Sequence, residues 1–197
     1  MGSREQILAK IKSNKPELID LPIIDSSVFK EEDLDVIAEF IKKVEVVGGN
    51  VLKTDSNQDV ITQIEATFAN QNVRYSHLDE TSTFNTISLE SIQNPHELET
   101  LDTLVLESTL GVAENGAVWL SDNEIPVRVL PFITKHLAIV ISQKNIVAYM
   151  HEAYKKLSDS ELDYGVFVAG PSKTADIEQS LVIGAHGALS LTIFLKD

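Results

Sequence analysis

The sequence predicts an α/β domain in which a largely parallel sheet is flanked by helices. Three observations carry that expectation. Strand-like runs alternate with helix-like stretches of about 10–15 residues, the pattern of βα units. The run His136-Leu137-Ala138-Ile139-Val140-Ile141-Ser142 is apolar through its middle, as in a strand buried on both faces. Of 197 residues, 43% are hydrophobic, enough for one sizeable core.

Ser3 and Gln6 fit a capping box, and Ile7, Leu8 and Ile11 follow at helical spacing until Pro16. Residues 17–30 read as an arm, so residues 1–30 form an N-terminal helix and arm, and residues 31–197 the α/β domain. Leu34, Ile37, Ala38 and Ile41 share one face of a second helix. Val44 to Thr54 reads as strand–turn–strand around Gly48-Gly49-Asn50. Val60, Ile61, Ile64 and Phe68 mark a third helix, and Val73 to Ser76 a short strand. Residues 79–100 are polar and weakly patterned, which predicts an irregular connection. Beyond them, strands are expected at Leu104–Leu106, Ala117–Leu120 and His136–Ser142. Asn145 is placed to cap a helix carrying Ile146, Val147, Met150, Tyr154 and Leu157. A strand from Tyr164 to Ala169, a helix from Thr174 to Ile183 and a strand from Leu191 to Leu195 complete the chain. In an open parallel sheet, ligands are expected beyond the carboxyl ends of the strands.

Thirty Asp and Glu against sixteen Lys and Arg give a net charge of -14. Such a surface repels phosphate backbones and anionic lipid, so neither nucleic acid nor membrane is an expected partner. The sequence has no cysteine, which excludes a cysteine-ligated cluster or zinc and any disulfide. No His-x-x-x-His or carboxylate cluster suggests a metal site. No apolar run approaches the roughly 18 residues that span a bilayer, and the first residues lack a signal-peptide core, so a cytoplasmic location is expected.

Two turns concentrate the candidate chemistry. The first is Gly170-Pro171-Ser172-Lys173-Thr174-Ala175-Asp176-Ile177-Glu178, where a strand runs into a tight turn and a hydroxyl-rich segment. Ser172 or Thr174 could cap a following helix, with Asp176 near its positive end. The free N–H groups of such a helix end, with Lys173 beside them, equally suit a small anion. This segment, followed by Gly184-Ala185-His186-Gly187, resembles the C-terminal signature of the LUD-domain family, which includes the lactate-utilisation protein C subunits. Lys173 stands where that family commonly has Arg, and Ala188 where Pro is usual. The resemblance implies the broad fold of coenzyme A transferases, sugar-phosphate isomerases and deaminases (NagB/RpiA/CoA-transferase-like). It also implies a role in oxidising L-lactate to pyruvate beside iron–sulfur partner subunits. Any cluster would then belong to those partners, with no cofactor in this chain, and a homo-oligomer is left open.

The second turn is Gly111-Val112-Ala113-Glu114-Asn115-Gly116-Ala117. It resembles the family's Gly-(Ile/Val)-Ala-Glu-Thr-Gly-Thr, with Asn115 and Ala117 in place of the two hydroxyl residues. It also resembles the Ser-Glu-Asn-Gly motif of class I coenzyme A transferases, whose glutamate is an acyl-accepting nucleophile. Read without resemblance, Asn115-Gly116 is a hairpin turn and Glu114 points to solvent.

The resulting candidates are Glu114 and His136 for catalysis, with Gly116, Arg128, Gly170, Ser172, Lys173, Thr174, Asp176 and His186 for ligand binding. Arg128 suits a carboxylate or phosphate, or else a surface ion pair. His136 suits acid–base chemistry, or else hydrogen bonding at the start of a strand. His186, between glycines, is expected to face the same cleft as Ser172. Trp119 alternates within its strand and reads as core packing.

Overall fold

The computed structural model describes residues 2–17, 19, 22, 25, 34–68, 72–158, 162–175 and 181–197, in two units, Met1–Asp33 and Leu34–Asp197. In the first unit, helix α1 (Ser3–Ser13) is capped one residue earlier than expected: the Gly2 N–H donates to the Glu5 carboxylate at 3.0 Å. Its apolar residues Ile7, Leu8 and Ile11 are exposed.

The second unit begins with helix α2 (Val36–Val46), where the Asp35 side chain accepts the Ala38 N–H at 3.0 Å. Phe40 and Val44 are its buried residues, while Ala38, expected on the inner face, is exposed. The helix continues through the stretch expected to be a first strand. Gly48, at φ 89, ends it, with the Gly49 N–H bonded to the Val44 carbonyl at 2.8 Å. Gly48-Gly49 is thus a helix stop and not a hairpin turn, and only Asn50–Thr54 becomes a strand, β1. Helix α3 (Asn57–Thr67), capped by Ser56, and strand β2 (Arg74–Ser76) follow as the pattern predicts. The connection from 79 to 100 is made of short 3-10 turns, and it drives Phe84 and Leu98 into the core.

Strands β3 (Thr103–Ser108), β4 (Gly111–Val112), β5 (Ala117–Ser121) and β6 (His136–Ser142) come next, with a single helical turn α4 (Leu130–Ile133) before β6. Ser142, not Asn145, caps the next 3-10 turn, and Ile146–Val147 form strand β7. Helix α5 therefore starts only at Met150 and runs to Leu157. Strand β8 is Gly165–Val168. The expected helix from 174 to 183 is contradicted: Lys173–Ala175 and Leu181–Ile183 are antiparallel strands β9 and β10. The β-branched residues Thr174, Val182 and Ile183 suit a strand as well as a helix face. Strand β11 (Ser190–Lys196) ends the chain.

β1, β11, β6, β3 and β2 lie in that order in a wholly parallel sheet. On one face Val60, Ile61 and Ile64 of α3 pack against Val105, Ala138, Val140 and Phe194. On the other, Leu104, Leu106, Leu137, Ile139, Leu191 and Ile193 meet α2 and a second sheet, ordered β7-β4-β5-β8. That second sheet is mixed and takes β5 and β8 out of the parallel sheet. Its outer surface is covered by α5, through Ala153, Trp119 and Phe167. Both faces of the central strands β3, β6 and β11 are thereby largely buried, which is why they carry apolar runs. Among the described residues, no helix is long and apolar enough to cross a membrane.

Candidate functional site

The Gly170 turn is held by close packing that only glycine permits. Gly170 has φ 72, and a Cβ there would stand 2.5 Å from the Val47 carbonyl oxygen. The Ser172 N–H donates to the Ala188 carbonyl at 2.9 Å, and the Gly184 N–H donates to the Ser172 carbonyl at 3.0 Å. These bonds tie the 170–172 turn to the 184–188 turn. Ser172 and His186 line one cavity of about 240 Å³, with Phe132, Leu137 and Gly187 among its walls. The two residues expected to share a cleft do so.

The charge expected beside them is used elsewhere. Lys173 Nζ donates to the Val47 carbonyl at 2.6 Å, placing its ammonium where α2 ends and the helix dipole favours a cation. Thr174 sits in β9 opposite Val182, and Asp176 lies outside the described residues. Because a strand and not a helix follows Ser172, the anion site expected from a helix N-terminus does not form there.

Around Glu114 the hairpin reading holds: β4 and β5 pair antiparallel across residues 113–116, and the Asn115 side chain accepts the Ala117 N–H at 3.0 Å. Gly116 has φ 69 and lies against the backbone of α2 at Val44. Glu114 is exposed, but its carboxylate accepts the N–H of Met150, the first residue of α5, at 2.8 Å. It therefore caps a helix from another part of the chain, and neither cavity described here includes it. Glu114→Ala is expected to cost about 1 kcal/mol, as loss of a helix cap does, measured by urea unfolding. No change would show that the cap contributes nothing.

Arg128 forms a bidentate pair with Asp122 at 2.8 and 2.7 Å and stacks over the Tyr164 ring at 5.0 Å. It lines neither of these two cavities, and its guanidinium is held in a surface ion pair.

His136 opens β6 on the sheet face opposite to the Ser172 cavity, because Leu137, its neighbour, takes the other side. Its Nδ1 is 2.7 Å from Ser190 Oγ, and the Phe68 ring lies 4.4 Å away, centroid to centroid. Burial pushes its pKa below the usual histidine value, with Asp102 opposing and Lys135 reinforcing the effect more weakly. A depressed folded pKa means that the neutral ring stabilises the fold above the unfolded value near 6.5. That contribution is lost as the pH falls through the folded value. His136, Ser190, Thr192, Asn50, Thr67, Glu45 and Phe68 surround a second cavity of about 400 Å³. Sequence reasoning missed Ser190 and Thr192 as site residues. The signal was two hydroxyls, at positions 190 and 192, on one face of the strand ahead of the apolar run 193–195.

Both cavities sit where β6 and β11 begin, at the amino-terminal edge of the parallel sheet and not beyond its carboxyl ends. Among the described residues, no group of three or more His, Asp or Glu is placed to hold a metal ion.

A parallel sheet backed by a smaller mixed sheet, with a cavity on each face of one edge, defines an α/β architecture. The chain belongs to the LUD domain family, whose family model matches residues 30–195. It is 30% identical over 106 residues to lactate utilization protein C of Oceanobacillus iheyensis, covering 50% of this chain and 45% of that one. Lactate utilization protein C of Bacillus pumilus is 32% identical over 99 residues, covering 47% and 41% respectively. That of a Geobacillus species is 35% identical over 94 residues, covering 43% and 38%. The matched stretches thus span less than half the length of these relatives. A crystal structure of a DUF162 family protein from Deinococcus radiodurans has the same fold, with a TM-score of 0.64 at 14% identity, covering 83% of this chain and 97% of that one.

Proposed function

We propose that this chain acts as a lactate-utilisation protein C-type subunit in the oxidation of L-lactate to pyruvate, binding a small carboxylate at the Ser172 turn. The observation that carries the proposal is the joining of Ser172 and His186 in one cavity by the bonds through Ala188 and Gly184. At about 240 Å³ that cavity is smaller than the roughly 300–1,000 Å³ of drug-sized sites and suits a three-carbon acid. The Ser172 hydroxyl and the His186 ring supply hydrogen-bond donors, and the flanking glycines let a ligand approach the backbone. Oxidation of lactate to pyruvate releases two electrons and two protons. With no cysteine in the sequence, a cysteine-held cluster accepting those electrons belongs to a partner protein.

The proposal predicts that L-lactate or pyruvate at about ten times its Kd stabilises the protein by roughly 1.4 kcal/mol, raising Tm by about 3–5 °C. Ser172→Ala and His186→Ala should each abolish the shift. No shift with either acid, or an unchanged shift in both variants, would remove the ligand site. Deletion of the gene should stop growth on L-lactate, and growth at the wild-type rate would overturn the assignment to lactate oxidation.

A further inference from the structure

We infer that the His136 cavity is a second ligand site, for a small aromatic amine rather than for a carboxylate. It is separate from the Ser172 cavity, lies on the opposite sheet face and does not rest on the reading of that site.

The cavity has a structural origin. Among the described residues, α3 covers its face of the sheet only as far as Thr67 and Phe68, and a cavity stands at the beginnings of β1, β11 and β6. Asn50, Thr192, Ser190 and His136 then stand at its floor, with Ile64, Phe68 and Phe194 closing the α3 side. At about 400 Å³ it falls within the range of small-molecule sites. An apolar wall with a few convergent polar groups is the usual composition of such a site.

The chemistry of the lining selects the ligand. Among the described residues its one charged lining group is the carboxylate of Glu45, and no Lys or Arg lines it. The cations closest in register are already paired: Lys135 with Asp102 at 2.7 Å and Arg74 with Glu65 at 3.1 Å. A carboxylate entering here would meet a like charge and no counter-ion, whereas an ammonium gains Glu45. An aromatic body suits the other walls, because the Phe68 ring already packs on the His136 ring at 4.4 Å and 31°. His136 offers the remaining contact. Its Nδ1 is engaged by Ser190, and its Nε2 has no hydrogen bond among the described residues. With Ser190 fixing the ring, Nε2 can bond a phenol or similar hydroxyl.

The test uses two probes that share a ring and differ in charge, tyramine and 3-(4-hydroxyphenyl)propionate. Protein labelled with 15N-histidine is titrated with each, the His136 signals being assigned from His136→Gln. Tyramine is expected to shift the His136 ring resonances in a saturable way, while the carboxylate probe leaves them unmoved. Glu45→Gln, at an exposed position that should not disturb folding, is expected to weaken tyramine about fivefold, the upper end for one exposed ion pair. The site assignment is overturned if tyramine leaves the His136 resonances unchanged. The charge selection is overturned if the carboxylate probe binds as well as tyramine, or if Glu45→Gln leaves tyramine affinity as it was.

Discussion

Gly116→Ala is expected to destabilise the protein by about 3 kcal/mol or more, although it adds a single methyl group. Two costs fall on the same atom. Gly116 has φ 69, a conformation that an alanine adopts only with strain. Its new Cβ would lie 2.6 Å from the Val44 nitrogen and 2.9 Å from the Lys43 carbonyl carbon, both backbone atoms of α2. A flexible side chain could yield, but helix backbone cannot do so without moving Phe40 and Val44 in the core. Urea unfolding with an unchanged m-value would measure the loss. A cost below about 1 kcal/mol would mean that the β4–β5 turn does not press on α2 as described. The expectation recasts Gly116, a candidate ligand residue by sequence, as the point where two layers of the fold touch.

Phe40→Ala is expected to cost about 3–5 kcal/mol, the range for removing a fully buried aromatic ring. Phe40 is 0% exposed and belongs to the cluster shared by α2, the parallel sheet and the second sheet. Its ring lies close to Gly111, where a Cβ would come 3.4 Å from Phe40 Cε2, so a cavity left there has rigid strand backbone as one wall. Collapse to fill it is therefore limited, which puts the cost toward the upper half of the range. Since domains of this size are commonly stable by only about 5–15 kcal/mol, the variant should unfold at a much lower urea concentration. A loss under about 1.5 kcal/mol would show that α2 does not anchor the two sheets together.

Much of the parallel sheet was legible because burial on both faces leaves a plain mark. The apolar middles of β3, β6 and β11 could hardly be anything but central strands. Helix α3 was equally clear, its apolar residues spaced for one covered face. The errors cluster where short β-branched runs meet glycine. Val44-Glu45-Val46-Val47 reads as well for a strand as for a helix end, and only the packing of Phe40 and Val44 holds it helical. After Ser172, where a helix was expected, Lys173–Ala175 and Leu181–Ile183 pair as antiparallel strands in the same way. The candidate site was half legible. The long-range pairing of Ser172 with His186 was expected from their glycine-flanked turns, but the engagement of Arg128 by Asp122 and of Lys173 by Val47 depends on partners that spacing does not reveal.

By itself, the sequence determined the class of fold, the family signature around Ser172 and the exclusion of any cysteine-held centre. The fold class follows from local periodicity and the exclusion from composition, while the signature is a motif resemblance; all three are local and are carried by the chain wherever it folds. The tertiary structure alone decided that His136 and Ser172 serve different cavities. A strand sends successive side chains to opposite faces, so His136 and Leu137 part company at the edge of β6. Which face the Ser172 turn packs against is set by the second sheet and α2, through contacts between residues far apart in the chain. No local pattern encodes that choice.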